Sequence, residues 1–444
     1  MNNLITKNMR ILMAQQFLNL LNIGANAYLP DDRKSYIYAV IGKQTPWPEV
    51  EGQEVVPTPQ DNIDGLNEPW RRAYAARIAS LVNANLVVPR NDWQVNTVYN
   101  TYESTTNFYV KNSTDQVFKC IDNNDGALST VEPTLTLSTS SLEEPYAATP
   151  DGYKWKYLYT ISSFEKQWFM NEEWMPAISN KFVTDAAING SIDYVKLTNT
   201  GNNYVDGALQ GIITVEGDGS GAILKANVSG GQVQNIIIQD RGSNYTRANV
   251  SFQDVVGGIG TNASAEVKIS PPGGHGSNPA NELGANNVMF CIQFEGYGPN
   301  DIYPVENDFR EVLLVHNPTD NITGQLATGE FYSLYTKIST SPGIGDFNND
   351  EIIFQGETFG SSSFSAEVVS FDEVLNILYV NNVKGTLQLN EAIKGLSTGA
   401  VRVATLKEEP TMKPYTGNIL FVSNKEKISR DGNQIDKIRF IISF

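Results

Sequence analysis

The chain reads as mainly β (α+β): a β-sandwich-like core with an N-terminal helix and one further helix, plus inserted small β-domains. Three observations carry that reading. Thirty-six glycines and 20 prolines call for many turns. The 19 Phe, 20 Tyr and 6 Trp gather with β-branched residues in short runs bounded by Gly, Asn, Asp and Ser, the pattern of strands between turns. A segment beginning near residue 198 recurs 41 residues later, which points to a β-unit built by duplication.

The N-terminal stretch 4–22 predicts an amphipathic helix. Leu4, Met9, Leu12, Met13, Phe17 and Leu20 or Leu21 fall near helical spacing, and Asn22, Gly24 and Asn26 close it. Such a helix docks either on its own core or on a second copy of the chain, and both options stay open. In IYAVIGKQTPWP (37–48), Tyr36, Tyr38 and Val40 alternate with Ile37, Ala39 and Ile41. Both faces are apolar or aromatic, so the strand should be covered on both sides. Gly42 ends it, and Pro46 and Pro48 hold Trp47 on a stiff extended segment.

A second helix is expected over 67–86, with Asn67 as cap, Glu68 and Pro69 in the first turn, and a stripe of Trp70, Tyr74, Ile78, Leu81 and Val82. Pro89, in VPRNDW (88–93), stops that helix-like stretch, and Trp93 follows a charged turn. From 95 to 165 the chain reads as short strands around Phe108, Val110, Val117, Phe118 and Ile121. A polar, proline-bearing connection spans 139–150. In DGYKWKYLY (151–159), Tyr153, Trp155, Tyr157 and Tyr159 share one strand face against Lys154, Lys156 and Leu158.

The repeat sets TNTGNNYVDG (198–207) against QDRGSNYTRA (239–248), aligning Gly201 with Gly242 and Tyr204 with Tyr245. Glycine supplies the positive φ of a tight turn, and the tyrosine ring can cover it. A weaker repeat occupies 351–406, with Glu357 and Glu391 in like places, and reads as a pair of similar hairpins. Between the first repeat and residue 286, PPGGHGSNPANELGA (271–285) is a loop by composition, long enough to suggest contact or function. At the C-terminus, Ile438, Phe440, Ile442 and Phe444 alternate with Lys437, Arg439, Ile441 and Ser443, a strand whose apolar face should be fully buried.

Length and charge bound the function. A chain of 444 residues suggests two to four domains. Thirty-two Lys and Arg stand against 49 Asp and Glu, a net charge of −17. That argues against nonspecific nucleic-acid binding, whose affinity comes from neutralising phosphates. Cys120 and Cys291 are the only cysteines, too few for a disulfide scaffold or a cysteine zinc site. No uncharged apolar run reaches the length of a membrane span, and residues 1–24 carry Lys7, Arg10, Gln15 and Gln16 where a secretory signal would be apolar.

Candidate chemistry is sparse. His275, in GGHG, is expected to be exposed by its glycines, and His316 reads as a structural histidine at a strand end. One imidazole is not a ligand set. Nothing in the sequence brings Cys120 beside either histidine as a nucleophilic pair. No nucleophile-elbow serine and no phosphate-binding P-loop occurs, and GDGSGA (217–222) reads as a hairpin turn. Carboxylate pairs of the glycosidase type cannot be picked out of so acidic a chain. Asp346, Asn348, Asp350 and Glu357 occupy positions 1, 3, 5 and 12 of an EF-hand-like loop, but Glu351 replaces its glycine; DNNDG (122–126) is out of register by one. The residues alone therefore assign no catalytic, cofactor or metal position.

Read in order, IYAVIGKQTPWP, VPRNDW, VFKCID (117–122), TVEPT (130–134), DGYKWKYLY, FREVLLVHNP (309–318) and IRFIISF (438–444) resemble the baseplate wedge subunit encoded by gene 8 of T-even contractile-tailed phages. The resemblance covers roughly the first 180 residues, a segment near 286–320 and the last 30. It implies a core wedge domain of 1–188 with 286–325 and 412–444. Two segments depart from it as insertions: a duplicated β-domain at 189–285 and a second β-repeat region at 326–411. It further implies a non-enzymatic virion protein, assembled in the host cytoplasm as a homodimer and contacting neighbouring wedge proteins. The baseplate holding it would rearrange on tail contraction. No cofactor, nucleic acid or membrane is implied. The alternative is a tail-associated adhesin or polysaccharide-binding protein, for which the Gly-Tyr repeats and exposed aromatics would offer stacking surfaces. A third reading is a carbohydrate-cleaving tail enzyme.

Overall fold

The computed structural model describes residues 4–24, 34–102, 106–136, 146–252, 260–295, 308–429 and 435–444. Asn26 and most of the connection expected over 139–150 lie outside them. The fold is mainly β, with 47% strand and 13% helix, so strands set the architecture. The chain forms two compact units: Met1–Gln15, Asn85–Met289 and Ile442–Phe444 in the first, and Gln16–Ala84 and Phe290–Ile441 in the second.

In the first unit, Tyr109–Lys111, Gln116–Asp122, Lys154–Thr160 and Ala147–Ala148 form an antiparallel sheet in that order. One face buries Tyr99, Val110, Phe118, Cys120, Tyr153, Trp155 and Tyr157. The other sets Lys119 directly opposite Lys156, an unfavourable cross-strand pair unless counter-charges arrive from elsewhere.

The 41-residue repeat folds as an interlocked pair. Ile192–Asn202 pairs with Thr261–Ile269, and Gln232–Ser243 pairs with Ser220–Ser229. The first strand of each copy thus pairs with the third strand of the other. The second strands, Gly207–Gly217 and Ala248–Ser251, pair with each other. Residues 41 apart share one core: Ile192 with Val233, Val195 with Ile236, Leu224 with Ala265, Ala226 with Val267, and Val228 with Ile269. Gly201 and Gly242 take φ of 64° and 60°. A Cβ there would lie 2.6 Å from Ala263 N and 2.5 Å from Ala222 N respectively, so both the conformation and the close approach require glycine. The Tyr204 and Tyr245 amides each donate 3.0 Å to a glycine carbonyl of the other copy, Gly231 and Gly190, again 41 residues apart. GDGSGA is the hairpin turn between Gly207–Gly217 and Ser220–Ser229.

In the second unit, a five-stranded sheet runs Phe331–Ser333, Ala73–Ala79, Ile37–Gly42, Phe309–His316, Asn418–Ile428. Every residue of Ile37–Gly42 is buried, as its two apolar faces required. The helix expected over 67–86 is corrected. It spans Ile63–Arg72, is capped by Asn62, whose side chain accepts from Gly65 N at 2.7 Å, and carries Pro69 inside. The chain then becomes the strand Ala73–Ala79, and the stretch before Pro89 is a further strand, Ala84–Pro89. The stripe Trp70, Tyr74, Ile78, Val82 repeats every four residues, a spacing that fits a strand's alternation as well as a helical face. Pairing with Ile37–Gly42 in the sheet interior decides in favour of the strand. Three short helices, Ser163–Phe169, Lys181–Asp185 and Pro279–Leu283, were not expected.

The second repeat lies in a closed six-stranded barrel of Thr336–Thr340, Ile377–Gly385, Phe364–Asp372, Ile352–Gln355, Ala392–Gly395 and Val401–Glu408, in that order around it. Its two hairpins pair through Ile352–Gln355 and Ala392–Gly395. Each begins with a left-handed residue and a glutamate: Asp350 (φ 67°) before Glu351, and Asn390 (φ 63°) before Glu391. Asp350 and Glu351 exchange backbone hydrogen bonds with Val368, and Asn390 and Glu391 do so with Ala404. The partner of Glu391 is therefore Glu351, and the pairing with Glu357 is corrected: Glu357 follows its strand, whereas Glu391 precedes its own.

The C-terminal strand Ile435–Ser443 forms, but only Phe440 is fully buried; Ile438, Ile442 and Phe444 are half-buried. The strand lies at a sheet edge, so one flank lacks the neighbour that complete burial needs.

Candidate functional site

The residues singled out in the sequence are mostly structural ties. His316 shares a 3.0 Å hydrogen bond with Ser35 Oγ. Both cysteines are buried and neither is in a disulfide. Asp346 accepts from Arg402 Nη2 at 2.7 Å, and Glu357 sits in the turn after Ile352–Gln355. Glu351 is buried and clasps the Ser397–Thr398 turn, accepting from both backbone amides and both hydroxyls at 2.6–2.9 Å. Asp122, of the second calcium-like word, accepts from Tyr194 at 2.8 Å and Lys196 at 3.2 Å. Among the described residues no three His, Cys, Asp or Glu side chains gather as a metal-ligand group. The repeat tyrosines Tyr204 and Tyr245 are 7% and 5% exposed, so their rings are packed inside rather than offered for stacking.

His275 is the main correction. Its glycines turn the ring inward, leaving the side chain 11% exposed. Nε2 lies 2.7 Å from the Tyr157 carbonyl; a carbonyl only accepts, so Nε2 carries the proton. Nδ1 lies 3.4 Å from Glu282 Oε2. This places His275 in a buried charge cluster on the lysine face of the first unit's sheet. Lys119 Nζ binds Glu282 Oε2 at 2.9 Å and lies 4.2 Å from the centre of the Tyr102 ring. Lys156 Nζ and Arg241 both bind Asp193 Oδ1. The Glu282 carboxylate also accepts from Gly276 N.

Burial alone would push the Asp193 carboxyl up, but Lys156, Lys119, His275 and Arg241 overcome it and hold it well below its ordinary value. Glu282 is likewise penalised by burial and then pulled down to about 2 by Lys119 and His275. Burial and the adjacent lysines lower the His275 pKa. Asp193 and Arg241 belong to the duplicated domain, and Glu282 and His275 to the 271–285 segment. The cluster therefore fastens both segments to the sheet. Sequence reasoning missed it because its members are scattered over 160 residues; the one visible signal was an interior lysine in each of two apolar strands, VFKCID and YKWKYLY.

Two surfaces stand out among the described residues. The helix Lys7–Gly24 buries Ile11, Ala14 and Leu21, yet Met9, Leu12, Met13 and Leu20 stay 39–50% exposed. The second unit holds a cleft of about 730 Å³ lined by Trp70, Arg71, Lys384, Lys407, Lys413 and Tyr415, among others.

No family model and no curated protein matches this chain. No helix among the described residues is long and apolar enough to cross a membrane.

Proposed function

We propose that the chain is a structural subunit of a phage tail baseplate wedge, which assembles through protein–protein contacts and takes part in the rearrangement on tail contraction. The observation that supports this reading best is the helix Lys7–Gly24. It has an apolar face inside the fold and a second apolar face outside it, where Met9, Leu12, Met13 and Leu20 follow helical spacing. A face of this kind, without a charged residue among those four, suits packing against the same helix of a second copy about a two-fold axis. Covering each half-exposed Met or Leu would contribute about 1 kcal/mol. The acidic surface, net −17, keeps unassembled subunits apart by mutual repulsion until a matching face is met.

Under this reading, mass spectrometry of purified phage particles detects the polypeptide, and light scattering of the isolated chain gives a dimer. The double variant Leu12→Glu, Met13→Glu gives a monomer with an unchanged circular dichroism spectrum. Absence from particles would remove the wedge assignment. A monomeric wild-type chain would remove the helix-to-helix contact.

A further inference from the structure

We propose that the cleft in the second unit binds an acidic, partly apolar peptide segment of a neighbouring protein chain. The meaning of this for assembly rests on the wedge reading; whether the cleft binds such a peptide does not.

The charge of the lining is opposite to that of the chain as a whole. Acidic residues outnumber basic ones 49 to 32 over the whole chain, yet the cleft is lined by Arg71, Lys384, Lys407 and Lys413 against one carboxylate, Glu409. That carboxylate is held by Lys407 at 2.7 Å, and Arg71 is held by Glu68 at 2.8 Å. Among the described residues, Lys384 and Lys413 have no carboxylate within 4.0 Å, although both are exposed. A basic cleft on an acidic protein attracts acidic partners and repels further copies of the general surface.

An exposed tyrosine stands at the mouth of the cleft. Tyr415 is 54% exposed and takes φ of +60°, a conformation that costs a bulky residue free energy and occurs mainly where the surroundings enforce it. Here Pro414 precedes it, and the Thr416 hydroxyl clamps the turn, donating to Lys413 O at 2.6 Å and accepting from Thr319 N at 3.0 Å. The ring stands over Trp70, 6.5 Å between centroids, and Trp70 itself is only 4% exposed. A tyrosine fixed in this way is a preformed contact platform, losing little freedom on binding.

Accessible apolar groups complete the lining. Val383, 37% exposed, and the half-buried Pro414 offer apolar contact beside the cations. That combination matches a segment in which glutamate or aspartate alternates with apolar residues.

The test is titration calorimetry of the full chain with an acetylated, amidated octapeptide of alternating glutamate and leucine. The same octapeptide with lysine for glutamate and an oligogalacturonate form the comparison arms. The acidic peptide is expected to bind saturably, and to weaken at least about tenfold in the Lys384→Glu, Lys413→Glu double variant. Raising salt from about 50 to about 500 mM should weaken it similarly. Tyr415→Ala should cost about fivefold. Lys181→Glu, at an exposed lysine of the other unit, should leave binding unchanged. All substituted side chains are exposed, so melting curves should superimpose. No saturable binding, equal binding of the lysine peptide, or indifference to the double reversal overturns the proposal. Binding of oligogalacturonate alone overturns it in favour of a saccharide site. None of these outcomes bears on whether the polypeptide is found in phage particles.

Discussion

The two duplicated β-regions solve the same problem by different chemistry. In 189–270 each copy turns on a glycine under a tyrosine ring, and five pairs of core positions lie 41 residues apart. In the 336–408 barrel the copies share a left-handed residue and a glutamate, but the equivalence slips: Glu351 to Glu391 is 40 residues, Val368 to Ala404 only 36. The four-residue difference lies in the hairpin loops, where length is tolerated. Fastening differs as well. The first region meets its sheet through buried ions, Lys119, Lys156, Asp193, Arg241 and Glu282. The second meets its sheet through a neutral reciprocal amide pair, Gln44 with Asn381, at 3.1 and 3.3 Å. Symmetry of sequence thus marks a shared turn geometry in one case and only a shared strand order in the other.

The comparison breaks most readily at the glycines. Gly201→Ala and Gly242→Ala each force a left-handed alanine into backbone 2.6 or 2.5 Å away, a cost of about 4 kcal/mol from strain plus overpacking. Urea unfolding should give losses for the two variants that agree within about 1 kcal/mol, since their surroundings are equivalent. A large loss at one site with near-neutrality at the other would show that the two turns are not interchangeable.

The ionic fastening predicts acid sensitivity in the first region. Asp193 and Glu282 have folded pKa values below their ordinary ones. Their contribution is complete above the ordinary carboxyl range and is lost as pH falls from about 4.5 through about 2. The shift of Glu282 to about 2 corresponds to about 3 kcal/mol. Glu282→Gln should therefore destabilise at pH 7 by that order, with the deficit shrinking toward zero near pH 2. Hydrogen exchange of strand peptides from 192–269 reads the effect locally. A deficit of constant size across that range would mean the cluster holds by packing rather than by charge.

A smaller effect separates the two glutamates of the second region. Glu351 is buried and holds the Ser397–Thr398 turn, whereas Glu391 is exposed. Glu351→Ala should cost about 2 kcal/mol from orphaned donors, and Glu391→Ala less than about 0.5. Equal effects would restore the symmetry that the loop lengths deny.

These contrasts also explain what the sequence made legible. The first repeat was visible because its turn demands glycine and its lid demands an aromatic, so both copies keep the same letters. The second was misaligned because Glu351 and Glu357 are both glutamates in one hairpin, and only the hydrogen bonds to Val368 and Ala404 choose between them. The Trp70–Val82 stripe deceived because a four-residue period belongs to both helix and strand, and alanines 73, 75, 76 and 79 favour a helix locally. The charge cluster was hidden by sequence separation, and the cleft by its assembly from residues 70–71, 321–336, 380–384 and 407–415. Local grammar recorded turns and alternation; long-range pairing recorded nothing local.

The last contrast is the sign of the pH dependence. Glu311, on Phe309–His316 in the second unit's sheet, is 3% exposed, and its Oε2 has no hydrogen-bond partner. Burial raises its pKa to about 7 against the opposing pull of Arg72 and Lys43. A raised folded pKa gives a contribution fully present below about 4.5 and lost as pH rises through about 7, the reverse of Asp193 and Glu282. Glu311→Gln keeps the shape and removes the charge. It should stabilise the second unit at pH 8 by about 2 kcal/mol or less, and should be neutral at pH 4.5. Paired urea titrations at the two pH values, followed by hydrogen exchange of peptides from 309–316, decide it. The same stability difference at both would show that the lost carboxylate matters for its shape and not for its proton. Glu311 would then no longer be distinguished from Asp193 and Glu282 by an opposite response to acid.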